Sequence, residues 1–404
     1  MARLRGALTL EAGRARALTT IVVALVLAMT TWFSASAVVP QLRDEWGLSN
    51  TAAAWLTIAV QLGFVVGALV SSVLNLADLL PTRVLILAAC TGAATANLLV
   101  AAADGAAAAI PLRLLTGFFL AGVYPPALKL ISTWFRERRG TALGIAVGAL
   151  TVGSAAPHLV NGLGGLDWQV VISATSVLTV LGGLAALAVG EGPHRFPSAV
   201  LDIGQVGQVF RNRGVRLASL GYFGHMWELY AMWAWFLIFF RETVGDGTGA
   251  AFATFAVIGV GGLGCYAGGV LGDRLGRAQS AAAMMAVSGT CALAIGLLVD
   301  APGWLVVAVG LVWGFSVVAD SAQFSTLVTE HADQAYVGTA LGVQMAVGFA
   351  LTAVTIWLLP FLEDAVGWRY AFAFLAPGPA LGIVAMLTLA RAARTPPAGR
   401  PRPS

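Results

Sequence analysis

A chain of 404 residues that is 58% hydrophobic and only 10% charged cannot keep most of its segments solvated, which excludes a soluble domain and marks a polytopic membrane protein. The net charge of +4 comes from 22 arginines and a single lysine, placed mostly in short loops between apolar runs, so it is a topology signal and not a nucleic-acid surface. Cys90, Cys265 and Cys291 lie inside apolar runs without metal-ligand spacing, which argues against a disulfide framework and a zinc site.

The pattern predicts an all-α membrane protein of twelve transmembrane helices. Residues 1-17, with Arg3, Arg5, Arg14 and Arg16, form a cytoplasmic segment ahead of an apolar run from Ala17 to Val39. Ala35-Ser36-Ala37 mimics a signal-peptide cleavage site, but the run is longer than the ~7–15 residues of a signal core. Further runs place spans near 51-76, 83-103, 110-134, 140-162, 168-190, 216-240, 250-271, 279-299, 303-329, 336-360 and 368-391, each long enough to cross a bilayer. The domains expected are a six-helix half at 18-190, a cytoplasmic linker at 191-215, a second half at 216-391 and a disordered tail at 392-404. Arginines gather at Arg83, Arg136 to Arg139, Arg195 to Arg216, Arg274 to Arg277 and in the tail, whereas the alternate loops carry Asp44, Glu45, Asp104, Asp167, Asp246, Asp300, Glu363 and Asp364. Basic loops stay inside, so both termini are expected to be cytoplasmic.

The halves read as parallel repeats. Gly262 to Arg277 has a blurred copy 195 residues earlier, which sets Gly262 on Gly67 and Asp273 on Asp78, and Gly140-Thr-Ala-Leu-Gly144 recurs at Gly338-Thr-Ala-Leu-Gly342. On these stretches, and on Arg113-Leu-Leu-Thr-Gly117 in the fourth span, the chain resembles the major facilitator superfamily over nearly its full length. Glycines permit close helix approach, and an acid at a helix end beside an arginine makes a latch. Asp273, Arg274 and Arg277, with Asp78 and Arg83 in the first half, are therefore expected to gate. The stretch Tyr124 to Gly140, with Lys129 and Trp134-Phe135, and Pro157 further on, is similar to the anion:cation symporter and nitrate/nitrite porter branches, which implies uptake of small anions.

Ionisable groups within the bilayer cost at least about 2.5–3.5 kcal/mol and point to function. Glu228 lies about 18 Å into the seventh span and Asp320 about 15 Å from the end of the tenth, both near the midplane. The resemblance puts spans 1, 4, 7 and 10 around a central cavity, which makes these two acids proton carriers. His225, Glu228, Met232 and Trp235 share one helical face, so His225 is expected to relay a proton with Glu228, and Trp227, Tyr230 and Trp233 to serve packing. Trp313, Ser316, Asp320 and Gln323 form a second stripe, and any partner of Asp320 must come from another span.

An anionic solute would be met by Lys129, Arg113, Tyr124, Trp235 and Gln323, with Pro125 and Pro126 kinking the fourth span. Lys129 also reads as a snorkelling side chain, His158 as a solvated interfacial histidine, and Gln61 and Gln344 as polar glue between helices. No nucleophile elbow, phosphate loop or cofactor fingerprint appears, so neither an enzyme nor a cofactor is expected. The sequence reads as a monomeric secondary transporter that works by alternating access with proton coupling. Its partners are a small solute, protons and lipid, without nucleic acid. The rival is a drug:proton antiporter, whose fifth-span glycine motif is matched here only by Gly144 and Gly153. A solute sensor that moves nothing is a further alternative.

Overall fold

The computed structural model describes residues 2–74, 76–135, 139–163, 166–194, 211–245, 247–333 and 337–394. The expected linker is described only at its ends, and the tail from 395, Asp246 and Arg136 to Arg138 lie outside the described residues, as does the side chain of Asp78.

Twelve helical spans carry the fold. Eleven are long and apolar enough to cross a membrane by length and composition. The twelfth is the seventh in order, Arg213–Thr243, whose mean hydropathy is lowered by His225, Glu228 and its tryptophans and tyrosines. Spans 2, 3, 5, 6, 9 and 11 contain the continuous helices Asn50–Val73, Thr82–Val100, Arg139–Gly162, Trp168–Ala186, Arg277–Ala294 and Val337–Val366. Helix 1 begins at Ala2, well before the apolar run, and continues to Ala28. Ala35, Ser36 and Ala37, the cleavage-site mimic, are buried within the bundle.

Spans 1, 4, 8 and 10 are interrupted near their middles, span 8 at Val260 between the helices Thr248–Gly259 and Gly261–Leu275. Span 1 passes through a 3-10 turn at Met29–Thr31 into the short helices Ser34–Ala37 and Val39–Trp46. Span 4 divides into Ala106–Leu120 and Tyr124–Trp134, and span 10 into Gly303–Ala319 and Ser321–His331. The break in span 4 falls one turn ahead of Pro125 and Pro126, as expected, because neither proline can donate to the carbonyl four residues back.

Spans 1 to 6 and 7 to 12 pack chiefly among themselves, and the two groups meet where span 5 lies along span 8 and span 2 along span 11. The repeat predicted from sequence is present, but its register differs. Gly67 lies against the Phe118 carbonyl as Gly264 does against that of Phe315, and Gly117 lies against the Val60 carbonyl as Gly314 does against that of Val257. All four pairs stand 197 residues apart, so Asp273 falls opposite Leu76 and not Asp78. Gly262, matched to Gly67 by sequence, instead faces Gly148 across the interface between the halves. A Cβ at Gly314 would stand 1.7 Å from the Val257 carbonyl oxygen, and one at Gly117 would stand 2.0 Å from that of Val60. Gly314→Ala and Gly117→Ala are each expected to cost more than the ~1–3 kcal/mol of ordinary overpacking. The measurement is the yield of monodisperse protein, which should fall severalfold for both; normal yield would refute the shared packing.

Candidate functional site

The break in span 10 leaves Asp320 between two helices, 2% exposed, with its Oδ1 2.8 Å from Nδ1 of His225 on span 7. The other ring nitrogen, Nε2, stands 3.2 Å from the Ser321 hydroxyl. With its proton on Nδ1, His225 faces the carboxylate and accepts from Ser321; a second proton on Nε2 turns that bond round, so Ser321 accepts. The partner that Asp320 needed from another span is therefore His225. This corrects the expected relay, because Glu228 does not pair with His225. The Glu228 Oε1 accepts from Trp313 Nε1 at 2.7 Å and its Oε2 from the Ser288 hydroxyl at 2.9 Å. Glu228 is thus held among spans 7, 9 and 10 inside its own half.

Arg113 is fully buried, and its donors are taken up by the protein itself. Its guanidinium donates to the carbonyls of Thr31, Trp32 and Leu56, to the Ser34 hydroxyl at 3.0 Å and to Asn97 Oδ1 at 2.8 Å. Those carbonyls include ones freed by the interruption of span 1, so the arginine acts as its clamp. No carboxylate pairs with it among the described residues. Gln323 likewise binds protein: its amide donates to the Gly268 carbonyl at 3.0 Å and accepts from Arg277 at 3.4 Å. Trp235 donates to the Ile356 carbonyl at 3.0 Å. Its ring borders a cleft of about 150 Å³ at the acidic end of the bundle, together with Arg43, Asn50, Glu242, Glu363 and Trp368. Tyr124 heads the second helix of span 4, and Lys129 is half-buried further along it, toward the arginine-rich end.

Six aromatic residues close the axis between the halves. Trp32, Phe33 and Phe64 come from the first half, and Tyr230, Trp233 and Phe349 from the second. The Trp32 ring lies 5.0 Å from Phe64, 6.0 Å from Tyr230 and 5.8 Å from Phe349, while Phe33 stacks on Tyr230 at 6.0 Å and meets Trp233 edge-on at 5.8 Å. Sequence reading assigned Tyr230 and Trp233 to packing and passed over Trp32, Phe33, Phe64 and Phe349. At the 197-residue register Phe33 falls opposite Tyr230, a pairing the sequence-derived offset did not bring out. Gln61 and Gln344 are fully buried and neither amide has a partner, so they do not glue helices in this structure; His158 is 1% exposed, not solvated, and both its ring nitrogens lack partners.

At the arginine-rich end, of the residues expected to gate, Arg277 and Asp273 are the ones that make contacts. Arg277 lies 2.8 Å from Glu330, 3.6 Å from Asp273 and 3.4 Å from Gln323, and Asp273 accepts from the Thr141 hydroxyl of the opposite half at 3.2 Å. Arg274 and Arg83 are exposed and pair with none of the described residues, which corrects their assignment to the latch. Across the acidic end, Arg43 stands 3.9 Å from Glu242 and Asn50 donates to Asp364 at 3.3 Å, so the two halves are tied at both ends. Removing Arg277 should cost about 1 kcal/mol, since its partners are part-exposed, and so shift the gate equilibrium roughly fivefold. Spin labels at positions 83 and 274 should report longer distances in Arg277→Ala, and an unchanged distribution would refute the latch.

Twelve spans in two repeated halves, several of them interrupted, around a closed axis with a buried acid–imidazole pair, define a polytopic membrane protein of the transporter class. The sequence pattern of the Major Facilitator Superfamily matches residues 21–356, and the chain belongs to that superfamily. The fold is similar to that of a bacterial homologue of the human lysosomal transporter Spinster, in an inward-facing and unoccupied conformation, with a TM-score of 0.67 and 14% identity over 94% of this chain and 96% of that one. The puromycin resistance protein pur8 of Streptomyces alboniger is 34% identical over 135 residues, which is 32% of this chain and 26% of that protein. The MFS transporter asaE of Aspergillus flavus is 29% identical over 188 residues, 43% of this chain and 40% of that protein. The matched stretches thus span well under half the length of these curated relatives.

Proposed function

We propose that this protein is a proton-driven exporter of lipophilic, ring-bearing compounds, seated in the cytoplasmic membrane with its arginine-rich loops inside. The observation that carries the reading is Asp320 against His225 at the break of span 10, beside an axis closed by aromatic rings. Ionised, Asp320 holds span 7 to the joint of span 10; protonated, it releases His225 and frees the two helices of span 10 to change their angle. Such a joint is the bistable element that alternating access requires. Glu228, held by hydrogen bonds from Trp313 and Ser288, is the second proton carrier. Exchange of inward-moving protons for outward-moving compound follows when the two occupy the protein in turn. The likeness to a puromycin resistance protein supports export, since expelling a toxic compound confers resistance.

The competing reading, proton-coupled uptake of an organic or inorganic anion, rests on Lys129. It loses Arg113, whose donors are spent on the protein itself. Everted membrane vesicles carrying the protein decide between them. Lipophilic ring compounds should collapse an imposed proton gradient at least severalfold faster than in vesicles without the protein, and organic carboxylates should not. Carboxylate-dependent proton movement that vanishes in Lys129→Ala would replace export with anion symport.

A further inference from the structure

Deep inside folded proteins, polar atoms almost always find partners, so a cluster of orphans points to a ligand. Five residues around the aromatic closure carry such atoms. Trp32 and Trp233 have unpaired indole N–H groups, Gln61 an amide unpaired at both ends, Ser154 an unpaired hydroxyl and His158 two unpaired ring nitrogens. All five are at most 1% exposed.

The helices bring these groups to one place. On span 2, Gln61 falls between Thr57, which bonds Ser36 at 2.6 Å, and Phe64, whose ring meets Trp32 at 5.0 Å. It therefore sits beside the interruption of span 1. On span 5, Gly148 and Gly162 face Gly262 and Phe252 of span 8, while Gly153 and Asn161 face Val26 and Ala37 of span 1. Thr151 touches Gly261 and Cys265 of span 8, and the buried strip between that contact and the one with span 1 carries Val147, Ser154 and His158 at helical spacing. Trp32 and Trp233 reach the axis from opposite halves, joined through Tyr230 at 6.0 and 5.4 Å.

We infer that these five residues form the solute site, and that its solute is an uncharged, ring-bearing molecule with both hydrogen-bond acceptors and donors. This deepens the export reading and rests on it for the site's place on the transport path. The indoles and the serine donate, the glutamine does both, and a neutral imidazole offers one donor and one acceptor. The set thus matches amide or hydroxyl groups attached to a flat ring. None of these five residues is Lys, Arg, Asp or Glu; Arg113, which holds the Trp32 carbonyl, is saturated, and Asp320 faces His225 at 2.8 Å. A charged solute would therefore be buried without a counter-ion, at heavy cost. A neutral one gains stacking surface and meets unpaired atoms on all five residues.

The test uses purified full-length protein in lipid nanodiscs with no proton gradient, so a failure of proton coupling leaves it untouched. Three matched tritiated probes differ only in charge: N-acetyltryptophanamide is neutral, N-acetyltryptophan anionic and tryptophanamide cationic. The neutral probe should bind at least about tenfold more tightly than either charged one. Gln61→Leu, Ser154→Ala and His158→Leu should each weaken it about tenfold, while Gln344→Leu, one turn from Gly348 where span 11 meets Tyr222, should not. Without probe the same three substitutions should raise the melting temperature, because each removes an unmet buried polar group. The assignment is overturned if a charged probe binds as well as the neutral one, if no probe binds, or if the apolar variants melt lower and bind undiminished. A carboxylate that binds best would also sink the export reading, whereas a neutral probe that binds without ever moving protons would sink the coupling alone.

Discussion

Arg113→Ala is expected to remove most folded protein from the membrane. The guanidinium serves five acceptors, on residues 31, 32, 34, 56 and 97, at the point where span 1 leaves helical geometry. Taking it away deprives three carbonyls, the Ser34 hydroxyl and the Asn97 amide oxygen of a charged donor, and leaves Asn97 Oδ1 with the Ser34 hydroxyl alone, in a site water does not reach. Breaking a buried charged network of this kind costs about 3–5 kcal/mol, a large part of the stability of a typical fold. Arg113→Lys should rescue little, because an ammonium offers three donors from one point where the guanidinium offers five in a planar fork. Detergent-resistant yield and melting temperature check this. Near-normal stability of Arg113→Ala with a selective loss of anion transport would instead return the residue to the solute.

Asp320→Asn is expected to abolish proton-driven transport by at least about 100-fold, the scale on which removal of a positioned proton-transfer group acts. The amide is nearly isosteric and can still bond His225, so the fold should survive. What disappears is the change of charge at the joint of span 10. Exchange of unlabelled for labelled solute, which needs no net proton movement, should persist. Glu228→Gln should behave similarly: with its amide oxygen toward Trp313, its NH2 donates to the Ser288 hydroxyl, which then donates to the Met285 carbonyl. A Glu228→Gln protein that folds and still couples would reduce Glu228 to a structural brace.

The architecture was legible because apolar length is a strong signal in lipid and loop arginines are sparse enough to count. The kink at Pro125 and Pro126 followed from the missing N–H, and the depth of Asp320 and Glu228 from the rise per residue. Partners were harder. His225 and Glu228 are three residues apart on one helix, yet one turns to span 10 at Asp320 and the other to Trp313 and Ser288. Helical spacing says which side chains neighbour each other and not which other span they meet. Arg113 looked like a solute ligand because its clamp is made mainly of backbone carbonyls, which carry no sequence signature. The repeat register slipped by two residues because the glycine-rich stretch matches itself at several offsets, and only the contacts of Gly67 and Gly264 fix it. Trp32, Phe33, Phe64 and Phe349 escaped notice for a simpler reason: in a helix that is apolar all round, an aromatic at the axis looks like one facing lipid.

The central claim is that compound and proton exchange through the joint at Asp320, and the most direct measurement is lumenal pH in proteoliposomes carrying a trapped pH-sensitive dye. With a panel of lipophilic ring compounds supplied on one side, wild-type protein should move protons the opposite way, in step with uptake of the labelled compound, and Asp320→Asn should move none while still exchanging label. Proton movement that is undiminished in Asp320→Asn, or label uptake with no accompanying proton flux in the wild type, would contradict the account.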